Sequence, residues 1–594
     1  MKDIFENAIE ALEKDNKKKE KLSSLVANLR LLVFLLIIYA IFNGYQGGSV
    51  FYNSIAIIST IAFVVLVIVH NKVKGKISKI EALLEVNKKY IKRLDGTWIE
   101  FEDAGLEFLD NEHLYANDLD IFGNYSLFKL LNLSNTETGR KLFSKALLYP
   151  SKEIEAIQKR QEAIEELSGK IDFVRELEAI SSINKNKLQS PDKLIEYAKS
   201  DERVFKNSIM ELVRFLPVLM IGFNLTLTWT DSFKYPAIIF TVLQVILWVV
   251  GILKNQEALS IVNYLKYNLE TYREMLLEIE KTDFESSYIT NIKELMFKDK
   301  LSSLKAIKDL GRITDLVNIR AQGIMNILLN VFFLWDYQCL FMLEKWKKKY
   351  GQEVEGWING IGEVESLMSF SQIPNITKGS NLPTITGGGN SIKAKAMGHI
   401  LINDEERVAN DLSMQNEILI ITGSNMSGKT TFLRTIGVNL VLCYNGARVI
   451  AEEFSASIME ICSSMRIVDD LGKGISTFYA EILKIKKIID KAEEGPNMIF
   501  LIDEIFRGTN SVDRIAGAKN VINNLKNSGA IGAISTHDLE LSQLDDGKRI
   551  LNYHFDDQYD GDKITFDYKI KKGASTSTNA RNLMKLAGIK MIEG

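Results

Sequence analysis

Apolar residues run without interruption from Leu31 to Phe42, a short turn spans Asn43 to Ser49, and a second apolar run extends from Val50 to Val69, broken only by small polar residues such as Asn53, Ser54, Ser59 and Thr60. The second arm has the roughly 20 residues that cross a bilayer, and the first approaches that length when it starts near Leu25 and takes in Asn28 and Arg30. Lys17, Lys18, Lys19, Lys21 and Arg30 flank one side and Lys72, Lys74, Lys76 and Lys79 the other, while the turn is uncharged. The positive-inside rule therefore predicts a membrane hairpin with both ends in the cytoplasm. A secretory leader is disfavoured, because the apolar stretch starts well inside the chain and returns at once as a second arm. Polar, Lys- and Glu-rich periodicity predicts a helix over Ile4–Ser24, and an amphipathic stretch from Lys76 to Leu94 predicts a stalk continuing the second arm.

A second pair of apolar segments, Phe215–Trp229 and Pro236–Leu253, is less uniform. Pro217, Asn224 and several threonines interrupt the first, and Asp231 and Lys234 lie in the turn. Two readings stay open: a second membrane hairpin over about 213–253, with Trp229, Tyr235 and Trp248 as interfacial anchors, or a buried hairpin of a helical domain. Ile324–Met342, interrupted by Asn326, Asn330, Asp336 and Gln338, is expected to be a core helix. Ile154–Leu167 and Glu257–Lys281 read as charged amphipathic helices with solvated faces. From Pro374 to Gly389 the composition shifts to Gly, Thr, Asn and Pro, which marks a linker or hairpin before the next domain.

Behind that break the pattern changes to short, continuous apolar runs. Ile418–Ile421 reads as a buried strand, followed by Gly423-Ser424-Asn425-Met426-Ser427-Gly428-Lys429-Thr430 and a helix beginning near Thr431. The eight residues match the Walker A pattern in its proper strand–loop–helix setting. Glycines let the backbone curl so that successive N–H groups face phosphates, Lys429 reaches the β and γ phosphates, and the Thr430 hydroxyl ligates Mg²⁺. Residues 423 to 431 are thus the expected cradle for ATP or GTP. Met498–Ile502 ends in Asp503-Glu504, and Ile531–Ser535 ends in Thr536-His537. Parallel strands would deliver all of these to one sheet edge. Asp503 is expected in the Mg²⁺ shell, Glu504 against the attacking water, and His537 on the γ-phosphate, which makes Lys429, Glu504 and His537 the catalytic candidates.

Composition narrows the classes further. The 594 residues are enough for several domains, and a formal net charge of −3 shows no bulk basic character of the kind nucleic-acid binding favours. Cys339, Cys443 and Cys462 are scattered, which supports neither a disulfide framework nor a zinc site and fits a reducing compartment.

The back half resembles the MutS family of ATPases. Ile421 to Thr430, with its internal Asn425-Met426 pair, is similar to that family's nucleotide loop, with Ser424 where Pro is usual. Met465-Arg466-Ile467 followed by Gly474 to Glu481 resembles the family's signature segment. Asp503 to Thr509 resembles its Walker B block, with Phe506 and Arg514 where glycines are usual. Ser535-Thr536-His537 and the closing Tyr568 to Gly573 with a terminal helix are also similar. More faintly, Leu119–Gly123, Thr138-Gly139-Arg140, Ile157–Arg160 and Ile361–Phe370 resemble the start and end of the family's core domain. Residues 1 to 95 show no counterpart of the mismatch-reading domain or its Phe-x-Glu motif.

The resemblance implies an α/β P-loop NTPase of the ABC-type/MutS-like kind, preceded by a largely α-helical core domain with transmembrane helical hairpins. The expected layout is a membrane hairpin and stalk over 1–95, a helical core and lever domain over 96–373, a linker over 374–395, and the ATPase domain over 396–594. It also implies a homodimer joined through the ATPase domains, with Ser476 of one protomer acting in trans on the γ-phosphate held by the other and Asn425 reading it in cis; a hydroxyl at a helix N-terminus suits a phosphate oxygen. The expected protein is a membrane-anchored, Mg²⁺-dependent ATPase of the cell membrane whose ATPase domains face the cytoplasm. It acts as an ATP-dependent dimeric switch with weak DNA binding at most and no mismatch recognition. The alternatives are a nucleotide-gated membrane scaffold, an ABC-like transporter component, and a DNA mismatch repair or recombination protein.

Overall fold

The structure is a computed structural model that describes residues 1–47, 50–200, 207–226, 234–264, 266–297, 302–319, 323–424, 426–466, 477–495, 497–506, 510–560 and 563–575. Two long helices open the chain, α1 (Lys2–Gly47) and α2 (Val50–Leu94). The polar helix expected over Ile4–Ser24 and the first apolar arm are one continuous element, and helix continues through most of the turn expected at Asn43–Ser49. The two run antiparallel over their whole length. Lys2 pairs with Asp95 at 2.8 Å and Phe5 stacks on Tyr90 at 4.7 Å at one end, while Phe34–Phe63 and Tyr39–Tyr52 meet near the other. At 1.5 Å per residue each helix is roughly 70 Å long, more than twice the ~30 Å hydrocarbon core of a bilayer. The tip half exposes Leu31, Leu32, Phe42, Val50, Phe51 and Ile58, and the base buries Ile80, Leu84, Val86 and Tyr90 against the next helices. By length and composition, both helices are able to cross a membrane.

The helical body that follows is knitted by close crossings. In the helices Glu137–Leu148 and Val354–Ser371, Gly139 and Gly362 face each other's chain so closely that a Cβ on Gly362 would lie 2.8 Å from Thr138 Cγ2. Glu365 is wholly buried beside them and accepts the N–H groups of Asn135 and Thr136 at 3.1 and 3.4 Å. Desolvation pushes its carboxyl up to about 7.

Two expectations change in this region. The second apolar pair forms helices Asn207–Thr226 and Lys234–Tyr264, but the apolar helical stretches among the described residues are only Val213–Gly222 and Ile238–Gly251. One face of the pair packs Val213, Leu216 and Ala258 against Leu334, Tyr337 and Leu340, whereas Val218, Ile239 and Val250 stand exposed. Trp248, expected as an interfacial anchor, packs against that cluster, Tyr235 is exposed, and Trp229 lies outside the described residues. The core helix expected over Ile324–Met342 is two helices, Gly323–Phe333 and Trp335–Tyr350, broken at Leu334 in the left-handed region (φ 47°). The Asn330 side chain accepts the Asp336 N–H at 3.0 Å, which secures the break, and Ile324, Ile327 and Phe332 of the first helix are exposed. Over the stretch expected as the charged helix Glu257–Lys281, residues 257–264 belong to Lys234–Tyr264 and the rest to Lys266–Lys281, with residue 265 outside the described residues.

The back of the chain is built on a six-stranded sheet of β1 (Ile418–Thr422), β2 (Glu460–Ser464), β3 (Met498–Asp503), β4 (Ile531–Thr536), β5 (Ile550–Asp560) and β6 (Lys563–Lys572). Its order is β6-β5-β1-β4-β3-β2, with only the β5–β6 pairing antiparallel. β1, β3 and β4 are buried at every position, as expected for strands covered by helices on both faces. A second sheet combines Thr384–Thr386, Glu453–Ser457, Ser391–Met397 and Asn410–Gln415. Strands therefore occupy part of the stretch expected to be a linker over 374–395, where the backbone donors and acceptors pair with the 453–457 strand. One hydrophobic core joins this half to the helical body; Leu119 packs against Gly437 so closely that a Cβ there would lie 2.6 Å from a Leu119 methyl.

Candidate nucleotide-binding site

β1 ends at Thr422 and the helix Lys429–Tyr444 begins directly after Gly428, so residues 423 to 428 form the connecting loop. Gly423 (φ 150°) and Gly428 (φ 105°) carry its unusual backbone. A Cβ on Gly423 would meet the Phe555 carbonyl oxygen at 3.0 Å, and one on Gly428 would lie 3.1 Å from the Tyr568 ring. Only glycine passes between these walls without strain. β5 and β6 thus supply the loop's outer support. Ser424 donates to Asp557 Oδ1 at 2.6 Å, which ties down the position where the resembling family usually has proline. Met426 stands at the loop's crest with its side chain 84% exposed, and Ser427 donates back to the Ser424 carbonyl at 2.9 Å.

Lys429, almost fully buried, donates to the carbonyls of Gly423 (2.8 Å) and Ser424 (2.6 Å), so its ammonium lies inside the loop's curl. Thr430 Oγ1 donates to Asp503 Oδ2 at 2.8 Å, bringing together the two residues expected at Mg²⁺. The other Asp503 oxygen accepts from Ser535 on β4. Glu504 follows in the left-handed region (φ 56°), and its carboxylate meets His537 Nε2 at 2.5 Å. Parallel registry of β1, β4 and β3 is what aligns these side chains, since Ser535 pairs with Ile421 on one side and Asp503 on the other. Thr431 is exposed on the first turn of the helix and holds Thr435 through its carbonyl.

Several residues brace this edge, some of them, such as Phe506 and Arg514, noted in the sequence only as departures from the family pattern and others, such as Asp118 and Lys484, given no role there. Arg514 grips Asp538 with two hydrogen bonds of 2.8 and 2.7 Å, which fixes the residue next to His537; the same bonds push the Arg514 guanidinium above its ordinary value. Glu481 accepts the Phe506 N–H at 2.5 Å, and the Phe478 ring lies edge-on to Phe506, so the start of the helix Thr477–Glu494 is docked on the turn after β3. Asp118, almost wholly buried, accepts from Ser463 Oγ (2.7 Å), the Arg466 N–H (2.9 Å) and Lys484 Nζ (2.7 Å). Asp120 (φ 52°) pairs with Arg434 at 2.9 Å and Arg466 at 2.7 Å. These contacts clamp the front of the helical body to the chain just before residue 467. The two acids two residues apart, one of them within Leu119–Gly123, were the available signal. Asn425, Ser476, Arg507 to Thr509 and the expected terminal helix lie outside the described residues.

Among the described residues there is no cluster of three His, Cys, Asp or Glu side chains to cage a metal. One carboxylate beside one hydroxyl suits Mg²⁺ instead, which takes few protein ligands and completes its shell with phosphate oxygens and water.

Family models for MutS domain V and MutS domain III match residues 419–591 and 106–206. A DNA mismatch repair protein MutS of Methanococcoides burtonii is 30% identical over 242 residues, 39% of this chain and 27% of that protein. That of Listeria innocua is 31% identical over 265 residues, covering 42% and 30%, and that of Caldicellulosiruptor saccharolyticus 34% over 190, covering 31% and 22%. The chain belongs to the MutS family. MutS-family proteins are ATPases that act as dimers and bind DNA, generally using ATP with Mg²⁺. This MutS-family chain spans less than a third of the length of the curated relatives it matches.

Proposed function

We propose that the chain is a membrane-anchored MutS-like ATPase that works as an ATP-dependent dimeric switch, with its ATPase domains in the cytoplasm. The observation that carries the reading is the Thr430–Asp503 contact of 2.8 Å below a curled loop holding Lys429, with the Glu504–His537 pair beside it. Thr430 and Asp503 would hold Mg²⁺, which would neutralise charge on the phosphates. Lys429, now on the loop carbonyls of Gly423 and Ser424, would exchange them for β and γ phosphate oxygens. Glu504, oriented by His537, holds the attacking water and takes its proton. Asn425 reads the γ-phosphate in cis and Ser476 reaches it in trans, so nucleotide closes the dimer and hydrolysis reopens it. Exposed Met426, Tyr479 and Val512, each following the carboxyl end of a sheet strand, are apolar surface that such a dimer covers.

α1 and α2 support the anchor, since their tip halves expose apolar side chains that lipid would cover. The formal net charge of −3 supports DNA binding that is weak. A second reading, DNA mismatch repair, draws on the relatives named above. Purified protein decides between them. Lys429→Ala should abolish ATP binding and Glu504→Gln should keep ATP while stalling turnover; equal affinity in wild type and Lys429→Ala overturns the site. ATPase stimulation by mismatched over matched duplex of tenfold or more, about 1.4 kcal/mol, favours the repair reading.

A further inference from the structure

A cavity of about 640 Å³ opens between α2 and the helix Ile171–Ser182, built entirely from residues 78 to 187 and sharing none with the nucleotide site. Its volume is in the range of small-molecule pockets. Three buried polar atoms of residues on its wall have no protein partner: Arg93 Nη1, Ser134 Oγ and Glu178 Oε2, in side chains 5%, 1% and 2% exposed. Arg93 is held rigidly through its other nitrogens, by the carbonyls of Leu130 at 2.8 Å and Asn132 at 3.2 Å. Lys129, itself 6% exposed, and Lys185 also line the cavity, and among the described residues neither has a carboxylate within ion-pair distance. Lys89 approaches Glu178 only to 3.9 Å. Buried charge such as that of Arg93 and Lys129 is costly when left this way unless something polar enters, whereas Lys185 is exposed at the rim.

The chemistry of the wall defines what enters. Lys129 and Lys185, with the guanidinium of Arg93, bring positive charge and N–H donors to the wall for a tetrahedral anion, and Asn184 and Asn186 on the same wall suit hydroxyl groups. The exposed carboxylates Glu81, Glu85 and Glu102 line the cavity together with Lys89, Lys92 and Lys187, so the rim carries both signs and favours a small, singly phosphorylated ligand over a polyanion such as ATP or a nucleic-acid strand. We infer that this cavity is a binding site for a small phosphate monoester carrying hydroxyl groups, seated where the stalk joins the core. Such a ligand is either soluble or the headgroup of a lipid, because the cavity begins at Ser78, nine residues or about 13 Å of helix beyond the apolar run ending at Val69.

Titration calorimetry on the full chain in detergent, with glycerol 3-phosphate as probe, tests it. Binding should appear in wild type and equally in Lys429→Ala, and weaken by about tenfold or more in Lys185→Gln and in Lys129→Gln. Lys185 is exposed, so its variant folds even if the Lys129 variant does not; wild-type melting temperature confirms this. A parallel arm compares nanodiscs with and without phosphatidic acid: competition of that lipid with glycerol 3-phosphate supports the site and names the lipid as source, and lack of competition supports a soluble ligand. No heat at millimolar probe, loss of binding in Lys429→Ala, or indifference to both lysine variants overturns the inference and leaves a cavity filled by water.

Discussion

Asp118 is where the helical body holds the nucleotide edge, and removing it has a calculable consequence. Its carboxylate accepts from a hydroxyl, a backbone N–H and the Lys484 ammonium, and the side chain is 1% exposed. Each hydrogen bond to a charged group contributes about 1.5–3 kcal/mol, but Lys484 is 29% exposed and recovers water when its partner goes. Ser463 and the Arg466 N–H recover less, so Asp118→Ala should cost about 3 kcal/mol in all and Asp118→Asn, which keeps one acceptor oxygen, about half that. The loss falls on the root of the segment that leads to Ser476. Thermal unfolding of the full chain in detergent should therefore drop by several degrees for Asp118→Ala, with limited proteolysis accelerating near Arg466. ATP affinity should hold, because Lys429, Thr430 and Asp503 are untouched, while turnover falls. Combining Asp118→Ala with Lys484→Met should be milder than the sum of the two, since both delete the same pair. Strict additivity, or a melting temperature within about a degree of wild type, would refute the clamp.

His399 is buried near Arg434 and Arg407, and desolvation first, then those cations, hold its imidazole down at about 3. Its folded value lies below its unfolded one, so the stability it preserves is present above about pH 6.5 and drains away as pH falls toward 3, at no more than about 1.4 kcal/mol per unit; His399→Gln should flatten that acid limb in melts taken between pH 7 and 4. Gly362→Val should destabilise by about 3 kcal/mol or more, because its Cβ meets Thr138 Cγ2 at 2.8 Å and the Gly139 backbone N at 3.0 Å, and wild-type melting in that variant would contradict the crossing. Arg514→Ala should lower turnover more than ATP affinity by freeing Asp538 beside His537, whereas an unchanged rate would show that the His537 position needs no brace. A cysteine replacing Tyr45, 93% exposed near the hairpin tip, should react only with reagent added outside sealed cells; reaction from the cytoplasmic side would remove the hairpin from the membrane.

Much of the engine was legible in one dimension because its chemistry is local. The loop 423–430 is contiguous, its glycines answer to backbone angles set within a few residues, and continuous apolar runs announce buried parallel strands that end in Asp503, Glu504 and His537. The apolar arms of α1 and α2 were equally visible, since a long apolar helix is an unbroken stretch of one composition. Tertiary structure alone decided the rest. The pairing of Thr430 with Asp503 joins residues 73 positions apart, and Asp118 reaches Lys484 across 366. The same is true of the Phe555 and Tyr568 walls around the loop, the break at Leu334 and the cavity under the stalk. Hydropathy reports how much a residue avoids water but not which surface covers it, so a core helix and an exposed apolar helix read alike until the chain has packed. An acidic residue announces its charge in the sequence, and only the fold supplies the cation and the low dielectric that turn that charge into a clamp.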